Sequence, residues 1–310
     1  FEVIDCPGGR LETNAKRFGQ QSALVFEDQV LNWSELNAAA NRYAWAMKTE
    51  GLNRGDCVSV MMENRVEFLA LLMGLNKIGV TAGLLNTNLT GKSLIHCITV
   101  TQSKKCIFGE EVIASVQEIY AELPMQQGQD FLFIADAGKQ TAPGWSKDLK
   151  PLAASASAEN PAETASTTLG ETAFYIYTSG TTGLPKAAVI SNRRYLISAD
   201  MAGTGGLKCK TQDRIYLCLP LYHATGLLLG VGSALATGAS MFVRRKFSAS
   251  NFLKEVRQHH CTHMIYIGEL CRYLVNSEAQ ADDAKNPLRS IMGNGLRPDI
   301  WMQVKQRYGI

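Results

Sequence analysis

Short apolar runs and longer stretches of helical period alternate along most of this chain. SALVFEDQVLNW (22–33) alternates around a polar EDQ turn and predicts a β-hairpin. Ser34 then stands as a helix cap, with Leu36, Ala40, Tyr43 and Met47 on one face of a helix to about Thr49 and Gly51 past its end. The pattern next predicts strands over 56–62, 81–85, 105–108 and 131–135, with helices over 66–78, 89–102 and 112–121 between them. Such alternation implies a mostly parallel sheet with helices packed on it.

Composition shifts at PLAASASAENPAETASTTLG (151–170), which is small, polar and aperiodic, as expected of a linker or surface crossing. A second alternating region follows. Strands are predicted over 173–177, 187–190, 262–267 and 290–292, and helices over 251–260 and 269–276. Pro298 suits the first position of a last helix. The expected organisation is α/β throughout, with one subdomain over 1–150 and a second over 171–310. No repeat of fixed period is present.

Residues 224–243 carry no charge, a length that can span a bilayer. The glycines, the preceding Pro220 and a helix stop at Gly238 favour a buried helix followed by a strand over 240–243. Lysine plus arginine exceed aspartate plus glutamate by 31 − 28 = 3, which excludes a nucleic-acid tract. The 8 cysteines form no CxxC pair and read as reduced, buried thiols of an intracellular protein. The chain starts at Phe1 rather than methionine and shows no signal peptide, as expected of a processed or excised chain.

YTSGTTGLPK (177–186) concentrates glycines, the hydroxyls of Thr178, Ser179, Thr181 and Thr182, and the charge of Lys186 in one place. Glycines let backbone N–H groups converge into an anion-binding nest, and the hydroxyls and lysine add donors. A plain glycine turn would not need them, so nucleotide phosphates are the better fit. The spacing GTTGLPK is not that of GxxxxGK[ST], and AAVIS after it is β-like rather than helical. The loop therefore has no helix dipole to draw on and is free to close over phosphates as they arrive.

FYIYTSGTTGLPKAAVISN resembles the signature of the adenylate-forming superfamily, which includes acyl-CoA synthetases, luciferases and peptide-synthetase adenylation domains. NTNLTGKSLIHC (86–97), LPLYHATG (219–226), RKFSASNFLKEV (245–256), YIGELCRYL (266–274) and MGNGLRPDIW (292–301) are similar to its fatty acid transport protein and very-long-chain acyl-CoA synthetase branch. The resemblance covers essentially the whole chain. It implies two stacked, mostly parallel αβαβα subdomains of the family's N-terminal domain, the second carrying the phosphate loop.

The family joins a carboxylate to the α-phosphorus of ATP, releases pyrophosphate, and passes the acyl group to coenzyme A. By resemblance, Tyr177, Thr178, Ser179, Gly180, Thr181, Thr182, Gly183, Leu184, Pro185 and Lys186 cradle the β- and γ-phosphates, and Thr178 helps hold Mg2+. Gly293, Asn294, Gly295, Leu296 and Arg297 match the turn against adenine. His223 borders the carboxylate end of the substrate tunnel as the candidate catalytic group, with Tyr222 beside it, and a hydrogen-bonded strand-end histidine is the plainer alternative. Tyr266, Gly268 and Glu269 match the branch and are assigned to the acyl tunnel, although Glu269 equally suits a helix start. HHCTH (259–263) reads as a solvated helix end rather than a metal site.

The family's aromatic-Gly-x-Thr-Glu motif, hinge and C-terminal domain lie beyond Ile310, so little ligase turnover and some self-association through uncovered edges are expected of this chain alone. The partners implied are a fatty acid, ATP and coenzyme A, with no nucleic acid, and the location is cytoplasmic with transient contact at a membrane surface. Three alternatives remain open: a ligase for a short or polar, carnitine-type acid; a non-catalytic lipid carrier; and a structural nucleotide-binding scaffold.

Overall fold

The structure is a computed structural model in which residues 5–136, 138–178 and 183–310 are described. In chain order the strands are β1 (Ser22–Phe26), β2 (Gln29–Asn32), β3 (Cys57–Met61), β4 (Thr81–Leu84), β5 (Lys105–Gly109), β6 (Phe131–Ile134), β7 (Lys147–Asp148), β8 (Thr172–Thr178), β9 (Lys186–Ser191), β10 (Arg214–Leu217), β11 (Ser240–Val243), β12 (His263–Ile267) and β13 (Ser290–Asn294). Four helices matter below: α1 (Pro7–Phe18), α2 (Trp33–Thr49), α3 (Val66–Lys77) and α4 (Gly91–Val100). The chain divides into two compact units, Phe1–Ala15 with Glu35–Tyr195, and Lys16–Ser34 with Leu196–Ile310.

The first unit is built on the sheet β7-β6-β5-β3-β4-β8-β9, parallel except for β9. Strands β3 to β6 are buried along their whole length, which is why they read as short continuous apolar runs. Phe108, Phe131 and Phe133 fill one side of the sheet together with Leu94, Cys97 and Ile98 of α4. Trp145 caps this cluster, stacking on Phe108 and Tyr120 with ring centroids 5.2 and 4.7 Å away.

The second unit is built on the sheet β13-β12-β10-β11-β1-β2, parallel except for β2. Two features depart from the expected boundaries. The N-terminal hairpin belongs here, because β1 pairs with β11 rather than with any strand of the first unit. The strands flanking the segment 177–186 belong to the first unit, because β8 pairs with β4.

The stretch 151–170 is also more ordered than its composition suggests. Asp148 caps the helix Leu149–Ser155 by accepting the Lys150 N–H at 3.0 Å. Backbone carbonyls beyond it serve α2: Ala154 and Ala156 accept from Arg42, Ala158 from Asn41 and Glu159 from Trp45. Exposed carbonyls of small residues thus become partners for long polar side chains, and the segment packs as part of the first unit.

Residues 225–237 form the expected buried helical run, ended by Gly238 at φ 76° before β11. Among the described residues no helix is long and apolar enough to cross a membrane. Trp33 opens α2, so Ser34 lies inside the helix rather than capping it.

Candidate functional site

Open parallel sheets bind ligands at the carboxyl ends of their strands, where successive connections leave in opposite directions. Both units place candidate residues at such an edge, and each is described by itself.

In the first unit, the segment 177–186 leaves the carboxyl end of β8 and returns antiparallel as β9. Thr178 and Lys186 are register partners at the mouth of the loop, and both are exposed. Ser179, Gly180, Thr181 and Thr182 lie outside the described residues. Gly183 and Leu184 are exposed and Pro185 is half-buried.

Tyr177 departs from its expected role. Its ring is buried and its hydroxyl donates to the Cys97 carbonyl of α4 at 2.6 Å. Burial raises its pKa, so the phenol stays protonated. Behind it runs a chain of hydroxyls that the sequence reading missed: Thr101 lies 3.4 Å from Tyr177 and 3.0 Å from Ser103, which lies 2.7 Å from Ser59. A Cβ on Gly83 would come within 3.0 Å of the Tyr177 oxygen, so glycine there leaves room for the phenol. Tyr177 thus ties the carboxyl end of β8 to α4 from within the core.

In the second unit, β11 and β12 lie on opposite sides of β10, so the switch point falls between β10 and β12. The turn after β10 carries Tyr222 and His223. Tyr222 is buried, and its ring meets that of His223 edge-on at 4.6 Å. His223 is exposed at its edge, yet partial desolvation against its neighbours lowers its pKa and keeps it neutral near pH 7.

The ends of β12 and β13 approach unusually closely. A Cβ on Gly268 would meet the Gly295 carbonyl oxygen at 1.9 Å, and one on Gly293 would meet that of Tyr266 at 2.0 Å. These glycines are therefore required by backbone packing. Tyr266, Gly293 and Leu296 come together with Met292 and Trp301 around a cavity of about 340 Å³. Asn294 donates to Thr225 at 3.3 Å, tying the end of β13 to the helix that follows His223.

Two other candidates are engaged locally. Glu269 is exposed in the first turn of the helix Gly268–Asn276 and pairs with Arg272, which holds its carboxyl below the usual range. It does not line the Tyr266 cavity. Arg297 is exposed and bonded to Asp299 at 3.1 Å. In HHCTH, His260 is exposed, whereas His263 is a core residue that bonds Thr262 at 2.8 Å and the Leu207 carbonyl at 3.1 Å.

Two mostly parallel sheets, with a glycine- and hydroxyl-rich segment at the carboxyl edge of one, frame the comparison with known proteins. Residues 11–310 match the AMP-binding enzyme family, and the chain belongs to it. It is 37% identical over 303 residues to the medium/long-chain-fatty-acid–CoA ligase FadD6 of Mycobacterium tuberculosis, covering 98% of this chain and 49% of that protein. It is 38% identical over 280 residues to the human long-chain fatty acid transport protein 1, covering 90% and 43%. The chain thus spans about half the length of the curated relatives it matches.

Solved structures agree on the fold. The anthranilate CoA ligase AuaEII in complex with anthranoyl-AMP superposes with a TM-score of 0.88 at 20% identity, over 99% of this chain and 59% of that one. The N-terminal domain of FACL13 from Mycobacterium tuberculosis superposes with a TM-score of 0.83 at 22% identity, over 98% and 73%.

Proposed function

We propose that this chain is the nucleotide- and carboxylate-binding part of an AMP-forming fatty acid–CoA ligase acting on long or very long acyl chains. The observation that carries the reading is the loop 177–186, held between β8 and β9 at the carboxyl edge of a parallel sheet with Thr178 and Lys186 exposed at its mouth. Both fatty-acid relatives share more than a third of their aligned residues with the chain, which supports a fatty acid over a short or polar acid.

In this reading Lys186 places a mobile positive charge against the phosphates of ATP and offsets the charge that grows on departing pyrophosphate. Backbone N–H groups and hydroxyls of 178–183 orient the same phosphates. The Thr178 hydroxyl suits a place beside Mg2+, which when bound neutralises the phosphates and polarises the α-phosphoryl group. The turn 293–297 presents backbone to adenine, close-packed by Gly268 and Gly293. His223, neutral near pH 7, donates one hydrogen bond from its ring N–H to the carboxylate or α-phosphate. Tyr266 contributes an apolar wall to the acyl chain, and coenzyme A takes the acyl group in the second half-reaction. The 310-residue chain alone is expected to release no pyrophosphate, and the protein is expected to meet membrane surfaces only peripherally.

The test is carboxylate-dependent ATP–pyrophosphate exchange by the full-length protein across a series of acyl lengths. Exchange that rises with chain length supports the reading. Exchange with short or polar acids only would remove the fatty-acid assignment, and no exchange from a folded, lipid-binding protein would favour a carrier.

A further inference from the structure

We propose that His96 is a positioning residue for the segment 177–186, and that one turn of α4 ties down both stems of that segment. His96 Nε2 lies 3.0 Å from the Pro185 carbonyl oxygen, across 89 positions of sequence. A carbonyl oxygen only accepts, so the His96 ring carries its proton on Nε2 and donates it there. The adjacent residue, Cys97, receives the Tyr177 hydroxyl at 2.6 Å. Two consecutive residues of α4 therefore hold the chain on either side of residues 178–184, one through a side chain and one through a carbonyl.

The bond at Pro185 has a particular consequence. Proline has no N–H, so its carbonyl is the one backbone hydrogen-bonding group it owns, and its φ is already fixed. Holding that carbonyl fixes the plane of the peptide joining Pro185 to Lys186. The direction in which Lys186 leaves the backbone is set by this plane and by its pairing with Thr178. The tie at Cys97 sets the other stem in the same way, through a rigid ring packed with Leu94 and Ile98 of the same helix. A glycine-rich segment loses much conformational freedom on gripping a ligand, and stems held in advance reduce that loss. His96 acts through Pro185 and Lys186, not on the reacting atoms.

This inference rests on the reading of 177–186 as the phosphate-binding segment, and its test separates the two. In the full-length protein, His96→Ala and His96→Gln are compared with wild type for ATP affinity, melting temperature and amide hydrogen exchange over 183–191. Glutamine keeps an N–H donor near the place of Nε2. The expected result for His96→Ala is ATP binding weaker by about threefold to tenfold, the range that one net hydrogen bond supports. Exchange over 183–191 should quicken, melting should stay unchanged, and His96→Gln should recover both affinity and exchange.

Wild-type affinity and exchange in His96→Ala would overturn the proposal, and so would equal impairment in both variants, since the ring and not its proton would then matter. If wild type binds no ATP, the reading of the segment fails, and exchange alone decides whether His96 holds the stem. If His96→Ala does not fold, Tyr177→Phe tests the companion tie: exchange over 172–178 should quicken, and unchanged exchange would overturn the two-stem arrangement.

Discussion

Lys77 and Glu12 meet at 3.0 Å inside the first unit, where the lysine ammonium also bonds the side-chain oxygens of Asn37 and Asn41 at 2.6 Å each. The Lys77 side chain is wholly buried, and burial outweighs the pull of Glu12, lowering its pKa to about 8. One cation thereby fastens α1, α2 and α3 together. Glu12→Gln leaves this ammonium without a countercharge and is expected to cost roughly 2 to 4 kcal/mol at pH 7, measured by urea denaturation.

The same lysine makes stability depend on pH. Between pH 8 and the ordinary lysine pKa, the unfolded chain binds a proton that the folded chain has released, so the Lys77 contribution to stability rises with pH. It should amount to about 3 kcal/mol across that window. The buried thiols act in the opposite direction above about pH 8.5, because unfolding lets them ionise. The measurement is therefore a difference: wild type should gain stability relative to Lys77→Met from pH 8 to 10.5, and parallel curves would show that Lys77 is not lowered.

Lys186→Ala is expected to weaken ATP use at least about tenfold, as loss of a charge-assisted contact to phosphate. Lys186 is exposed, so melting should hold to within about 0.5 kcal/mol. Steady-state kinetics and calorimetry on the full-length protein decide the matter. A loss of stability that tracks the loss of activity would make the loop a structural hairpin.

Gly268→Ala should cost about 1 to 3 kcal/mol or more, because its Cβ collides with backbone that no side-chain rotation can clear. Gly295→Ala meets only the Gly268 backbone nitrogen, at an ordinary contact distance of 3.8 Å, but sits at φ 69° and should cost only about 1 kcal/mol. Chemical denaturation that ranks the two in reverse would contradict the close approach of β12 and β13.

His263 donates from Nε2–H to the Leu207 carbonyl, its Nδ1 lies 2.8 Å from the Thr262 hydroxyl, and burial outweighs the neighbouring Asp213 carboxylate and lowers its pKa. Unfolding lets it take up a proton once pH falls below about 6.5, so stability is lost on acidification through that value. His263→Gln should flatten the slope of stability between pH 5 and about 6.5, as followed by thermal melts.

Most strands and helices were legible because buried parallel strands are short apolar runs and their helices keep a 3.6-residue period. Pairing was not. Nothing local in SALVF says that β1 will lie beside β11, more than two hundred positions away, instead of in the sheet of its neighbours. The stretch 151–170 misled because its contacts are made by backbone carbonyls, which carry no residue-specific signal. At the loop, FYIY is apolar throughout, so alternation could not show that Tyr177 turns inward while Thr178 faces out. The polar trio Thr101, Gln102 and Ser103 between a helix and a buried strand was the available hint that a hydroxyl partner was needed there.

The cysteines are all unpaired and buried, and they divide evenly: Cys6, Cys57, Cys97 and Cys106 in the first unit, Cys209, Cys218, Cys261 and Cys271 in the second. Only a thiolate reacts readily with an alkylating reagent, and burial raises the pKa of these thiols in both units. The molecule therefore carries its own clocks for structural opening. Mass spectrometry of timed alkylation should show four thiols reacting as one group if a unit opens cooperatively, and two distinct groups of four if each unit opens by itself.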